Sequence, residues 1–210
     1  MIKIFIVDDH TLIREGIKKI LSQESDIKIV GEISNPLEVL DEIKKSKCDI
    51  LILDLSMPGK SGLDVLKEIK LILPHVKVLI MTMLPEDQFA KRTLKAGAYG
   101  YITKDKAPEE LLTAIRRIAS GRKYVTQTLA EKLADDLDDK SDKPPHEILS
   151  DREFQILQML AKGISQTDIA DQLSISTSTV NTYRSRIFEK LNFRSNAELI
   201  HYAFQNNLIE

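Results

Sequence analysis

The chain has no tryptophan, one cysteine and few aromatic residues among its 210 positions. A lone cysteine, Cys48, excludes an internal disulfide framework and fits a reducing, cytoplasmic setting. It precedes an apolar run and reads as a small core residue. Low aromatic content (5%) argues against an aromatic-lined pocket for an apolar ligand. The four histidines, His10, His75, His146 and His201, are scattered without metal-ligand spacing. No apolar run approaches the roughly 20 residues of a membrane span. Met1 to Val7 is too short for a signal peptide and runs directly into two aspartates. Strong charge is lacking as well: a net −2 neither favours nor excludes nucleic acid.

What is present is order. Residues 1 to about 120 alternate apolar runs with amphipathic segments. The central run, Ile50-Leu51-Ile52-Leu53, ends on Asp54 and is broken by Met57-Pro58-Gly59. An unbroken apolar run bounded by turn residues predicts a parallel strand buried on both faces. Similar strands are expected at 2–7, 27–33, 76–81 and 99–103, with helices at 11–21, 36–45, 62–73, 86–95 and 108–120. This alternation predicts an α/β doubly wound, five-stranded parallel sheet with right-handed crossovers. Beyond Gly121 the pattern weakens. Leu129 to Leu137 allows a short helix, and the charged run 135–145 ends in two prolines and reads as a linker.

Ligands of open parallel sheets bind outside the carboxyl ends of the strands. The expected strand ends deliver Asp8 and Asp9, Asp54, Thr82 and Lys104 to that edge. Converging carboxylates hinder one another's ionisation unless a cation is present, and a hard cation such as Mg2+ relieves this. A lysine and a threonine hydroxyl complete a phosphoryl-sized site in which an aspartate is the nucleophile. Singly, each residue has an ordinary explanation: a turn-starting Asp pair, a surface lysine, a strand-end hydroxyl. Their joint placement calls for a common purpose.

These segments, Val7-Asp8-Asp9-His10, Asp54 to Gly59, Thr82 and Gly100 to Asp105, resemble the receiver domain of two-component response regulators, a flavodoxin-like fold. The resemblance implies Asp54 as phosphoacceptor and Asp9 as a direct Mg2+ ligand, with Asp8 assisting through water and the Ser56 carbonyl completing the metal site. It implies that Lys104 contacts the phosphoryl group, that Thr82 and Tyr101 form a switch pair, and that a sensor histidine kinase is the donor. Asp105 departs from the proline that many receivers carry there, which leaves open whether the Lys104–Asp105 peptide is cis.

A second unit begins near Ser150, whose spacing to Glu153 predicts a capping box. Helices follow from Asp151, from Ser165 and from Ser176 through Leu191, with a last one over 196–205, giving a small all-α four-helix unit of helix-turn-helix type. With Val180 centred on the buried face of helix 177–191, Tyr183, Ile187 and Leu191 join it, and Asn181, Thr182 and Ser185 lie opposite. Arg184 and Arg186 flank this face, with Lys190 and Arg194 beyond. Short polar groups ringed by cations suit a major groove, where the centre reads bases and the rim, with the amides at Ser178-Thr179, holds phosphates. An ordinary solvated helix face is the plain alternative.

Leu149 to Glu153, Gly163-Ile164-Ser165, Asp168-Ile169-Ala170, Ser176 to Val180 and Leu191 to Arg194 resemble the LuxR-type DNA-binding domain. Asn181 replaces a frequent lysine, which trades phosphate attraction for a residue able to pair with adenine. The whole chain is thus similar to NarL/FixJ-class response regulators: a receiver at 1–121, a linker at 122–146 and a DNA-binding domain at 147–210. The implied partners are a sensor kinase, double-stranded DNA and a second copy of the chain, with no membrane. Two other classes share parts of this pattern. Phosphatases with an aspartyl intermediate place the nucleophile on the first strand, whereas Asp54 is on the third. A ligand-gated LuxR-type regulator would need the aromatic pocket that this composition argues against.

Overall fold

Strands β1 (Ile2–Val7), β2 (Ile27–Ile33), β3 (Ile50–Leu53), β4 (Lys77–Thr82) and β5 (Gly100–Thr103) pair in parallel in the order β2-β1-β3-β4-β5. The structure is a computed structural model and describes residues 1–138 and 144–209. Strand β3 is buried at every position, because helices cover both faces of a parallel sheet. Ile4, Ile6, Ile50, Ile52, Leu79, Met81 and Ile102 pack with helices α1 (Thr11–Leu21) and α5 (Ala107–Ala119) in one core cluster. The alternate residues, including Phe5, Val7, Leu51, Leu53, Val78, Ile80 and Tyr101, are equally buried and face the other way. Helices α2 (Val39–Ser46), α3 (Gly62–Ile72) and α4 (Glu86–Lys95) complete the layer architecture.

Two local features explain departures from simple periodicity. Helix α2 starts at Val39 rather than Pro36, because Asn35 turns the chain first: its Oδ1 accepts from the Leu37 amide at 3.0 Å. The β1–β2 register shifts between Ile4 and Phe5, where Gly31 lies under the Phe5 ring and a Cβ would collide with it. Gly62 is similarly constrained: a Cβ there would meet the Asp54 carbonyl and Leu55, so glycine lets α3 start directly against the end of β3.

Among the described residues five helices follow α5, so the four expected for the C-terminal unit do not describe everything beyond the sheet. The first, α6 (Gln127–Asp138), packs against α4 within the N-terminal unit. Tyr124 leads into it by adding one bridge beside Gly100, its amide donating to the Tyr99 carbonyl at 2.7 Å. The Thr126 hydroxyl donates to the Glu86 carboxylate at 2.9 Å and accepts from the Leu129 amide at 3.2 Å, and Leu129 is buried. Of the charged run expected as a linker, residues 139–143 lie outside the described residues.

The chain divides into two compact units, Met1–Asp139 and Lys140–Glu210. After a single 3-10 turn at Pro145–Ile148, the second holds α7 (Asp151–Ala161), α8 (Gln166–Leu173), α9 (Thr177–Leu191) and α10 (Asn196–Gln205). Ser150, Ser165, Ser176 and Ser195 each cap the helix that follows, accepting from the amide three residues on. At Ser150 the reciprocal bond is present as well: the Ser150 amide donates to Glu153 Oε2 at 2.7 Å, which completes the capping box. Ser174, at φ 49°, makes the tight turn between α8 and α9. Val180 and Ile187 are buried on α9, while Tyr183 and Leu191 are half-buried at the margins of that face. Among the described residues no helix is long and apolar enough to cross a membrane.

Candidate functional site

At the carboxyl edge of the sheet, β1 ends at Asp8 and β3 at Asp54, both 1% exposed. Two buried carboxylates cannot stand unpaired. Lys104, delivered by the end of β5, answers both: its Nζ lies 2.7 Å from Asp54 Oδ2 and 2.8 Å from Asp8 Oδ2. Burial by itself disfavours the ammonium, yet Asp54, and then Asp8, hold the Lys104 pKa above the usual lysine value. One ammonium against two carboxylates still leaves a negative charge, and half-buried Asp9 adds another. Arg14 Nη1 donates to the main-chain carbonyl of Asp8 at 2.8 Å, so the guanidinium braces the loop without pairing either buried carboxylate.

The loops after β3 and β4 supply the remaining groups. Asp54 Oδ1 accepts the Ser56 amide at 3.1 Å. Thr82 is fully buried, and its hydroxyl accepts only a long bond from the Leu84 amide, 3.4 Å. Tyr101 is also fully buried, with its hydroxyl donating to the Leu84 carbonyl at 2.8 Å; burial pushes its phenol pKa far up, so it stays protonated and a donor. The described residues contain no cis peptide bond, so Lys104–Asp105 is trans.

Asp8, Asp9, His10 and Asp54 each offer a ligand atom, all within 4.8 Å of one another, which is compact enough for one divalent ion. His10 is the member that spacing rules overlook, because a single histidine matches no ligand pattern. The signal was adjacency: it directly follows the aspartate pair. At the far end of the sheet Cys48 is buried, its thiol pushed up to about 11 by desolvation, which makes it inert core.

On α9, Asn181, Thr182, Ser185 and Arg186 are exposed, whereas Arg184 is half-buried. Thr182 donates its hydroxyl back to the Ser178 carbonyl at 3.0 Å, and the Thr179 hydroxyl lies 2.8 Å from the Ser176 cap. Two of the cations are engaged inside the unit. Arg184 Nη2 donates to Asn196 Oδ1 at 2.9 Å, its guanidinium stacked 4.3 Å from the centre of the Phe188 ring. Lys190 Nζ sits 2.6 Å from Glu153 Oε2, reaching a carboxylate almost wholly buried in the capping box. Arg194 is exposed, with its amide donating to Glu198 at 2.7 Å.

Residues 4–116 match the response regulator receiver domain, and residues 147–203 match the bacterial regulatory proteins of the luxR family. The chain belongs to the LuxR-type two-component response regulators. This response regulator is 37% identical over 209 residues to the response regulator UvrY of Escherichia coli K12, spanning 99% of this chain and 96% of that one. It is similar to RcsB from Salmonella enterica serovar Typhimurium bound to promoter DNA in the presence of a phosphomimetic: 27% identity, TM-score 0.60, covering 96% of this chain and 97% of that chain. A structure of two RcsB dimers bound to two parallel DNAs aligns with the same TM-score of 0.60 and 27% identity, over 96% of each chain. The response regulator is therefore a phosphorylation-controlled, DNA-binding regulator of transcription, and its acidic cluster is consistent with the self-catalysed phosphoryl uptake typical of receivers. Matches to both halves set aside the phosphatase and the ligand-gated readings.

Proposed function

We propose that Asp54 accepts the phosphoryl group from a phosphohistidine of a sensor histidine kinase. The observation that carries this reading is the buried Lys104 ammonium 2.7 Å from Asp54 Oδ2. An Asp54 carboxylate oxygen attacks phosphorus, the P–N bond breaks, and the imidazole leaves with its electron pair, giving an acyl phosphate on Asp54. Lys104 pairs with the charge that arrives, and the Ser56 amide holds the carboxylate in place. The carboxylates of this site fit Mg2+: they offer oxygen donors and net negative charge, and Asp9 Oδ1 is buried without a hydrogen bond. Asp9, Asp54 and the Ser56 carbonyl would hold the ion, with Asp8 acting through water. When bound, Mg2+ neutralises charge developing on the phosphoryl oxygens.

The added phosphate carries roughly −1.5 to −2 charges at neutral pH. Thr82, weakly bonded at present, turns its hydroxyl toward it. Because Leu84 is tied to Thr82 through its amide and to Tyr101 through its carbonyl, this movement is handed to the start of α4 and to β5. The output is a change in dimerisation or in release of a DNA-binding module made of the four helices α7–α10 (147–210), beyond a receiver at 1–121 and a linker at 122–146 that contains α6. On DNA, Thr179, Asn181, Thr182 and Ser185 meet base edges, while Arg184, Arg186, Lys190 and Arg194 hold phosphates. The likeness to RcsB dimers on DNA supports a homodimer as the bound form.

Intact-mass analysis with Mg2+ and a small-molecule phosphodonor tests the acceptor. Wild type should gain one phosphoryl group and Asp54→Ala none. Equal labelling of the variant would remove Asp54 from the role.

A further inference from the structure

We infer that His10 is a nitrogen ligand of the acidic site and biases it toward Mn2+ and similar first-row transition ions over Mg2+. The inference rests on the reading of this edge as a cation site and goes beyond it to the identity of the preferred ion. His10 Nδ1 lies 2.9 Å from Asp9 Oδ1 and 3.3 Å from Asp8 Oδ1. Asp9 Oδ1 is buried and accepts no hydrogen bond of good geometry; without a cation its 2.9 Å contact with the His10 ring is an ion-pair contact, which a bound cation would replace. Two ligand atoms on neighbouring vertices of an octahedral ion, Mg2+ or a first-row ion alike, at bonds of about 2.0–2.2 Å, are about 2.8–3.1 Å apart, so the spacing fits a cation and the choice of ion rests on the nitrogen donor. The His10–Asp9 separation matches that edge, and both atoms belong to a set of four ligand atoms lying within 4.8 Å of one another.

The backbone fixes where the ring starts from. The His10 amide donates to Asp8 Oδ1 at 2.8 Å, while its own side chain is 60% exposed. The imidazole therefore borders the site from the solvent side, where an ion arrives, and no packing must be broken for it to turn. The other neighbouring cations are committed elsewhere. Lys104 pairs with Asp8 Oδ2 and Asp54 Oδ2, and Arg14 donates to the Asp8 carbonyl and to the Thr11 hydroxyl. An all-oxygen pocket suits Mg2+, Ca2+ or Mn2+, but an imidazole added to carboxylates favours the ions that accept nitrogen. His10 would then be a selectivity residue: the carboxylates bind any divalent ion, and the ring sets which one binds best.

The test uses the metal-free full-length protein, with Mn2+ and Mg2+ titrated separately into wild type, His10→Ala and Asp9→Asn. Pulsed electron paramagnetic resonance on the Mn2+ form reads directly whether a 14N nucleus is coordinated. Wild type should show an imidazole nitrogen coupling that disappears in His10→Ala. That variant should bind Mn2+ about tenfold more weakly, with Mg2+ binding unchanged. No nitrogen coupling in wild type, or parallel losses for both ions, overturns the role of His10 and leaves the cation site standing. Failure of wild type to bind either ion, or Asp9→Asn binding both as well as wild type does, overturns the cation site itself, and His10 with it.

Discussion

Ser56 and Leu84 should set how long a phosphoryl group on Asp54 survives. Each lies two residues beyond a reacting or switching group, Asp54 and Thr82, and each is half-buried beside it. Leu84 is held at both backbone groups, its amide 3.4 Å from the Thr82 hydroxyl and its carbonyl 2.8 Å from that of Tyr101. Neither side chain carries a carboxylate or amide that could orient an attacking water. Positioning the nucleophile is a large part of phosphoryl-transfer catalysis, so hydrolysis should be slow. The double variant Ser56→Asn, Leu84→Glu should lose its phosphoryl group faster, roughly tenfold by a conservative reading of positioning effects. Mass analysis of the purified phosphoprotein over time checks this; an unchanged rate would mean that both side chains stand clear of the water's path.

At the scale of elements, the sheet was legible because parallel strands buried on both faces must be continuous apolar runs, and 2–7 and 50–53 are such runs. The acidic edge was legible for the same reason: once strand ends are known, topology brings Asp8, Asp54, Thr82 and Lys104 together. What periodicity does not carry is pairing across distance. The bridge from Lys104 to both buried aspartates depends on β3 lying between β1 and β4. The start of α2 depends on an Asn35 side-chain turn that interrupts an otherwise helical pattern.

Lys190 is the sharper case. On a helical wheel it belongs to the rim of the exposed face of α9, but in the fold it reaches Glu153 on α7. Burial alone would raise the Glu153 carboxyl, yet Lys190 and the Ser150 groups hold it below its ordinary value. A depressed carboxylate contributes stability above its unfolded pKa, about 4.3, and that contribution is lost as pH falls through the folded value. Calorimetry on the full chain should therefore show the C-terminal unit's transition moving down between about pH 5 and pH 3. In Glu153→Gln that pH dependence should be flatter, and the transition near pH 7 should be lower by a few degrees, at about 4–8 °C per kcal/mol for a unit of this size. Identical pH profiles would mean that the α7–α9 pair does not contribute.

For the whole molecule, the two cations already engaged within the unit change what DNA-binding variants should report. Arg186→Ala, on an exposed side chain, should weaken specific and random DNA alike and reduce the salt slope by about one unit. Asn181→Ala should instead relax preference at particular base pairs with little change in slope. Salt titrations on specific and random duplexes separate these outcomes, and no effect from either variant would turn this face of α9 away from the groove.

If Asp54 is the acceptor, its phosphoryl group must change what α9 does on DNA. The direct measurement is DNA affinity of the full chain, by gel shift against its target fragments, with Mg2+ and with or without a small phosphodonor, for wild type and Asp54→Ala. The phosphodonor should change the affinity of wild type and leave that of Asp54→Ala unmoved. An equal response in both proteins, or an intact-mass gain of phosphate on wild type with no change in its DNA affinity, would contradict it.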